Sequence, residues 1–212
     1  MKALGIFGTS GFSREAADIG RELGYSPFYI ARDESEMEAW TGPETVMLEN
    51  EVLQSSTGVS FAIGIGDNAF RKKVANRFIG TLEFINLIHP SASFGHGQLD
   101  LIHKKIGVLV CAGVRFTNNI EIGNFTIFNL NATIGHGVVI EDYVNVSPGA
   151  NISGNVFIGS GCWIGTGSAI NQGSDDGKLL IGQGTTIGSG SVVVRDCESD
   201  AVYVGIPAKR IK

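Results

Sequence analysis

The sequence is poor in cysteine, in clustered positive charge and in long apolar runs. The three cysteines, Cys111, Cys162 and Cys197, are odd in number, far apart and outside any metal-ligand spacing. That pattern fits neither a disulfide framework nor a zinc knuckle, and buried, idle thiols are expected. No Lys/Arg cluster is present and the formal charge is −5, which argues against nucleic acid or an anionic membrane as the main partner. Met1 leads straight into "KALGIF" without a basic region and an apolar core, and no apolar run approaches a membrane span, so neither export nor membrane insertion is expected. A cytoplasmic protein with small-molecule ligands is the reading that remains.

What is present is a core. With 43% hydrophobic and 17% charged residues, the 212-residue chain can bury one large domain or two modest ones. Its 30 glycines are concentrated in the second half.

The two halves follow different periods. Residues 1–88 alternate short apolar runs with helical stretches, the pattern of a small α/β domain with a Rossmann-like βαβ order. "KALGIF" reads as a strand, "GTSG" as a turn, "FSREAADIGRELG" as a helix and "SPFYIAR" as the second strand. "VSFAIGIG" reads as a buried strand, "DNAFRKKVANRFI" as a helix opening near Asp67, and "EFINLI" as another strand. Proline, glycine and serine then break both periods, and residues 89–109 are expected to be a linker.

From Val110 the period is six. The chain divides without a gap into VCAGVR, FTNNIE, IGNFTI, FNLNAT, IGHGVV, IEDYVN, VSPGAN, ISGNVF, IGSGCW, IGTGSA and INQGSD. The first residue is always apolar and the fifth small or β-branched, which no helix of period 3.6 can use. A parallel β-helix uses it, each hexapeptide forming one short face of a triangular coil of 18 residues, with glycine at corners. The register breaks at "SDDGKLL", read as a loop thrown out between coils, and resumes until about residue 200, leaving 201–212 as a tail.

"GTSG" after the first strand, "GIGDNAFRKKV", "LIHPSA", "IGHGVVIEDYVNVSPGANISGNV" and the ending "VYVGIPAKRIK" together resemble the bacterial acetyltransferases acting on nucleotide-activated amino sugars and sialic acid. The resemblance spans nearly the whole chain. It implies a left-handed β-helix behind a nucleotide-sugar-binding domain, acetyl-CoA as donor, no metal, and a homotrimer with its active site between subunits. Serine, maltose and lipid A acyltransferases and γ-class carbonic anhydrases share the hexapeptides alone. The chain departs from the family's pattern in three places. Gly11, Phe12 and Ser13 stand where glycine-histidine-glycine is common, Gly137 where an acid follows the histidine, and Asn145 where a second histidine is found.

His136 is the only histidine of the hexapeptide array and occupies an outward third position. It is the candidate general base. Gly154, one coil later, is the candidate oxyanion donor and part of the thioester site. Glu141, Asp142 or a group from a neighbouring chain is expected to orient the imidazole in place of the missing acid, or the histidine works unaided.

For the nucleotide-sugar, Gly8, Ser10 and Gly11 lie at a strand-to-helix turn suited to phosphate. Asp33, about twenty residues on, fits a ribose contact; the resemblance implies that it lies near the uridine and that Gly66, Asn68 and Arg71 lie near the base or sugar. The literal G-x-G-x-x-G is absent, which disfavours a dinucleotide. The resemblance assigns Asn145, Thr166, Gly167, Gly188, Pro207 and Arg210 to coenzyme A. Ile127, Val139, Phe157 and Trp163, apolar on outward positions, are expected at a subunit contact.

The reaction that the resemblance implies is N-acetylation of a UDP-linked 4-amino-4,6-dideoxysugar for a surface glycan. Rival readings are O-acetylation of sialic acid or a related sugar, and a sugar-binding scaffold without chemistry. A γ-carbonic anhydrase-like metal site has no visible ligand set, because His89, His96 and His103 all precede the repeats.

Overall fold

The computed structural model describes residues 2–54, 56–174 and 176–212. Its first part is a four-stranded parallel sheet in the order β3-β2-β1-β4, formed by β1 (Lys2–Phe7), β2 (Tyr25–Ala31), β3 (Val46–Leu48) and β4 (Ser60–Ile63). Helix α1 (Gly11–Glu22) buries Ser13, Ala16, Ala17, Ile19 and Gly20 and leaves its charged residues wet, as the sequence pattern requires. After the short α2 (Glu34–Glu38) and β4 comes α3 (Asn68–Phe78). Its N-cap is Asp67, whose carboxylate accepts the N–H of Phe70 at 2.9 Å.

The second part is a three-sided parallel β-helix, and it starts earlier than the period suggests. Leu87–Ile88 pairs in parallel with Leu109–Val110, and Ser93–Phe94 with Arg115–Phe116. "EFINLI" is therefore divided. Phe84 makes a single bridge to Phe61 of the α/β sheet, while Leu87 and Ile88 already belong to the first coil. Segment 89–109 is not a linker, since it carries a strand of that coil and helix α4 (Gln98–His103), whose Ile102 fills the end of the core. The tail is likewise part of the prism. Val202–Val204 extends the first face beside Thr186–Ile187, and Lys209–Arg210 closes it antiparallel.

The three faces form sheets of eight, six and four strands. Asn145–Val146 sits on the first, Asn151–Ile152 on the second and Val156–Ile158 on the third. The first residues of the hexapeptides from Val110 to Ile170 point inward and make one continuous buried column. The small fifth residues are also buried, except Ser174, where the register breaks. Fourth residues turn the corners. From Gly113 to Gly167 all ten have φ between 52° and 75°. Glycine accepts this without strain and asparagine nearly so, but Phe125 and Tyr143 do not.

Those two aromatics stack at 5.6 Å and are buried by the α/β domain, in a cluster with Phe7, Phe61, Phe78 and Phe84. Docking of the α/β domain thus covers the corner between the third and first faces. It also covers part of the first face, where Leu109, Cys111 and Ile127 pack against Leu4, Ile6 and Ala17. Ile127 is fully buried inside the chain and is not available to a second subunit.

Candidate active site

His136 stands at the corner between the second and third faces, exposed, in the turn after Thr133–Ile134. Because Thr133 pairs with Asn151 eighteen residues on, Gly154 lies directly over it. A Cβ added at Gly154 would come within 2.6 Å of the imidazole Nε2, so only glycine leaves the ring in place. Gly154 is buried, its carbonyl accepts the N–H of Gly173 at 3.0 Å, and its own N–H has no acceptor among the described residues. A cleft of about 300 Å³ opens here, lined by His136, Gly154, Asn155, Gln172, Gly173 and Ser174. It pairs a proton acceptor with an unspent backbone donor, the parts an acyl transfer requires.

The position of the missing acid is a left-handed corner. Gly137 has φ +66°, and a Cβ there would lie 2.5 Å from Asn155 Oδ1. Nor do the expected substitutes reach the ring. Glu141 accepts the N–H of Ser160 at 2.8 Å and Asp142 that of Asn124 at 2.6 Å, both across neighbouring coils. Among the described residues of one chain the imidazole makes no side-chain hydrogen bond.

A second cleft, of about 520 Å³, opens at the carboxyl ends of β1 and β2, the place where parallel sheets bind ligands. Of the residues expected at the nucleotide, only Gly8 lines it. Ser10 and Gly11 are exposed at the start of α1. Asp33 caps α2 and pairs with Arg32 at 2.8 Å, and the N–H of Glu36 followed by Arg32 holds its carboxyl below the ordinary carboxylate range. The acidic residue at the glycine turn is Glu36, which accepts Thr9 N–H at 3.2 Å and Thr9 hydroxyl at 2.7 Å.

Gly66, Asn68 and Arg71 are occupied elsewhere. Asn68 Nδ2 donates to Gly161 and Cys162 carbonyls at 2.8 and 3.0 Å. The Arg71 guanidinium, 1% exposed, donates to Phe125, Tyr143, Ile65 and Gly66 carbonyls and to Asn68 Oδ1 at 2.7–3.0 Å. Burial lowers its pKa to about 9, which still leaves it cationic at neutral pH. These residues hold the two parts together and do not face the cleft. Instead, α3 presents Phe70, Lys73, Val74 and Arg77 to it, an i, i+3, i+4, i+7 stripe legible in "FRKKVANR".

The residues expected at coenzyme A divide between two places. Asn145 lies buried on the first face beneath the α/β domain, its Nδ2 donating to Gly66 carbonyl at 3.1 Å. It is a docking residue within one chain. Thr166, Gly167 and Gly188 gather at the corner between the first and second faces. Pro207 and Arg210 follow in the C-terminal segment, where Arg210 pairs with Glu198. His136 occupies the other edge of the second face, so one chain does not bring its imidazole to this group.

Comparison with known proteins decides among the hexapeptide architectures. Residues 3–78 match the family model of the PglD N-terminal domain. A GDP-perosamine N-acetyltransferase of Escherichia coli O157:H7 is 28% identical, covering 100% of this chain and 97% of that protein. WeeI from Acinetobacter baumannii AYE is 26% identical over the full length of both chains, with a TM-score of 0.88. PerB from Caulobacter crescentus, solved with CoA and GDP-perosamine, is 25% identical over 100% of this chain and 98% of its own, with a TM-score of 0.87. Over its full length the chain is similar to these left-handed β-helix proteins, and it is an acetyltransferase.

Gly137 and Asn145, two of the departures from the pattern of the similar family, lie at a left-handed corner and beneath the docked α/β domain. Among the described residues no group of His, Cys, Asp or Glu is placed to hold a metal, and no helix is long and apolar enough to cross a membrane.

Proposed function

We propose that the chain transfers acetyl from acetyl-CoA to the amine of a nucleotide-linked 4-amino-4,6-dideoxysugar in the cytoplasm, as a step of surface-glycan synthesis. The observation that carries this reading is the imidazole of His136 facing a buried glycine whose N–H is unspent. In this mechanism His136 takes a proton from the amine as it attacks the thioester carbonyl, and the Gly154 N–H receives the charge that develops on oxygen. The α/β cleft holds the nucleotide, with Lys73 offering positive charge to its phosphates and Arg77 paired with Glu49 in the same lining.

The sugar carrier is the finer point. UDP is the nucleotide expected from the sequence resemblance, whereas the E. coli and Caulobacter relatives carry GDP in their names. Thiol release from acetyl-CoA, measured with UDP-, GDP- and dTDP-linked amino sugars, is expected to show turnover with one of them. No release with any would sink the reading.

The proposal includes a trimer. The third face stacks Val139, Phe157 and Leu180 outward in one column, and Leu180 is 46% exposed. A second copy laid there would cover this stripe and supply the corner that one chain keeps apart from His136. Light scattering at micromolar concentration is expected to give three times the 22.4 kDa chain mass. A monomer would overturn the shared site.

A further inference from the structure

The coil above Gly154 is longer than the others. Trp163 pairs with Thr186, 23 residues on, whereas Asn145 pairs with Trp163, 18 residues on, so five residues are extra. Both strands flanking the excess keep their partners, since Ile152 pairs with Ile170 and Ile158 with Ile181. The extra length therefore leaves the prism at one corner, and it is the corner of His136.

The loop is fastened at its neck. Gly173 N–H donates to Gly154 carbonyl and Leu179 N–H to Asn155 carbonyl, each at 3.0 Å. From its far side Lys178 Nζ reaches two coils down to the carbonyl of Gly137, beside the catalytic imidazole. The "SDDGKLL" loop is thus shorter than the sequence suggests, because Leu179 and Leu180 are in a strand, and Asp175 lies outside the described residues.

This anchoring sets Gln172 over the notch. By the register of Ile152 with Ile170, Gln172 follows Gly154 in the column that contains His136, one strand spacing, about 4.8 Å, further along. It lines the same cleft, and its carboxamide has no hydrogen-bond partner among the described residues. Gly154 contributes no side chain between them. A reacting carbonyl placed at the Gly154 N–H has the imidazole on one side and a free carboxamide N–H on the other.

We infer that Gln172 is a further catalytic residue, its carboxamide N–H donating to the acyl oxygen together with Gly154 N–H. This rests on the acetyltransferase reading above. In the step, the amine lone pair forms the C–N bond while the carbonyl π pair moves onto oxygen, where the two donors meet it. As that pair returns, the C–S bond breaks, and the proton held by His136 goes to the departing sulfur. One amine and one thioester become one amide and one thiol.

The test compares Gln172→Ala with Gln172→Glu, which keeps the shape but offers only acceptors when ionised. Both are expected to lower kcat by about 10²–10³-fold, the effect of removing one oxyanion donor. The KM values for acetyl-CoA and for the sugar should stay unchanged. Folding is a small concern because the side chain is exposed and unpartnered, and wild-type melting temperatures would confirm it.

Wild-type kcat in either variant would overturn the inference while leaving the transferase reading intact. So would a Gln172→Ala protein that keeps acetyl transfer and gains on butyryl-CoA, because Gln172 would then be a wall and not a donor. A wild-type protein without turnover sinks the transferase reading and this inference with it.

Discussion

Replacing His136 by alanine or asparagine should lower kcat by about 10²–10⁴-fold, the usual contribution of a positioned base. Ligand binding should persist, since the cleft proposed for the nucleotide and the Thr166 corner proposed for coenzyme A lie elsewhere on the chain. The loss need not be complete. An ammonium substrate is increasingly deprotonated as the pH rises, so the variant should regain activity towards high pH if the acceptor is an amine. A sugar hydroxyl, far less acidic, would show little such recovery. Steady-state kinetics of the variant across pH therefore tests the residue and separates N- from O-transfer. Wild-type kcat throughout would make the imidazole a bystander.

Arg71→Met should be the most damaging substitution outside the cleft. The guanidinium serves carbonyls from both parts of the molecule, and without it Phe125, Tyr143 and Ile65 lose the donors they have among the described residues. Leaving several buried carbonyls unpaired costs about 3–5 kcal/mol, or roughly 10 °C in Tm for a chain of this size. Lysine should rescue little, because a single ammonium cannot span acceptors arranged for a planar fork. Thermal unfolding followed by circular dichroism measures this. A Tm within a degree of wild type in Arg71→Met would show that the aromatic cluster alone holds the α/β domain on the prism.

The prism was legible in the sequence because one residue in six must point inward, and from Val110 to Ile170 it does. The same periodicity fixes Gly154 over His136, so this stacking was readable from the sequence. What periodicity does not encode is which outward residues another domain covers. Ile127 looks like a subunit contact and Arg71 like a ligand contact for this reason, since each has the chemistry of an exposed partner and the position of a buried one. Asp33 failed differently. Its spacing from the glycine turn suits a ribose, but the helix it begins uses its carboxylate as a cap, and Glu36 three residues on turns to the loop instead. The start of the coil was hidden because its first strands are two residues long and lack a glycine corner between them.

The neck above Gly154 bears on how such an enzyme can change over generations. Its two hydrogen bonds are made by residues on the coil itself, Gly173 and Leu179, and do not depend on what the chain does between them. Lengthening a flexible excursion costs little, about 0.6 kcal/mol for each doubling. Insertions and deletions between those two bonds leave every rung aligned, as the excursion through α4 in the first coil also does. The prism therefore admits length variation at the corner of His136, and under the mechanism proposed above drift in that loop becomes drift in substrate choice.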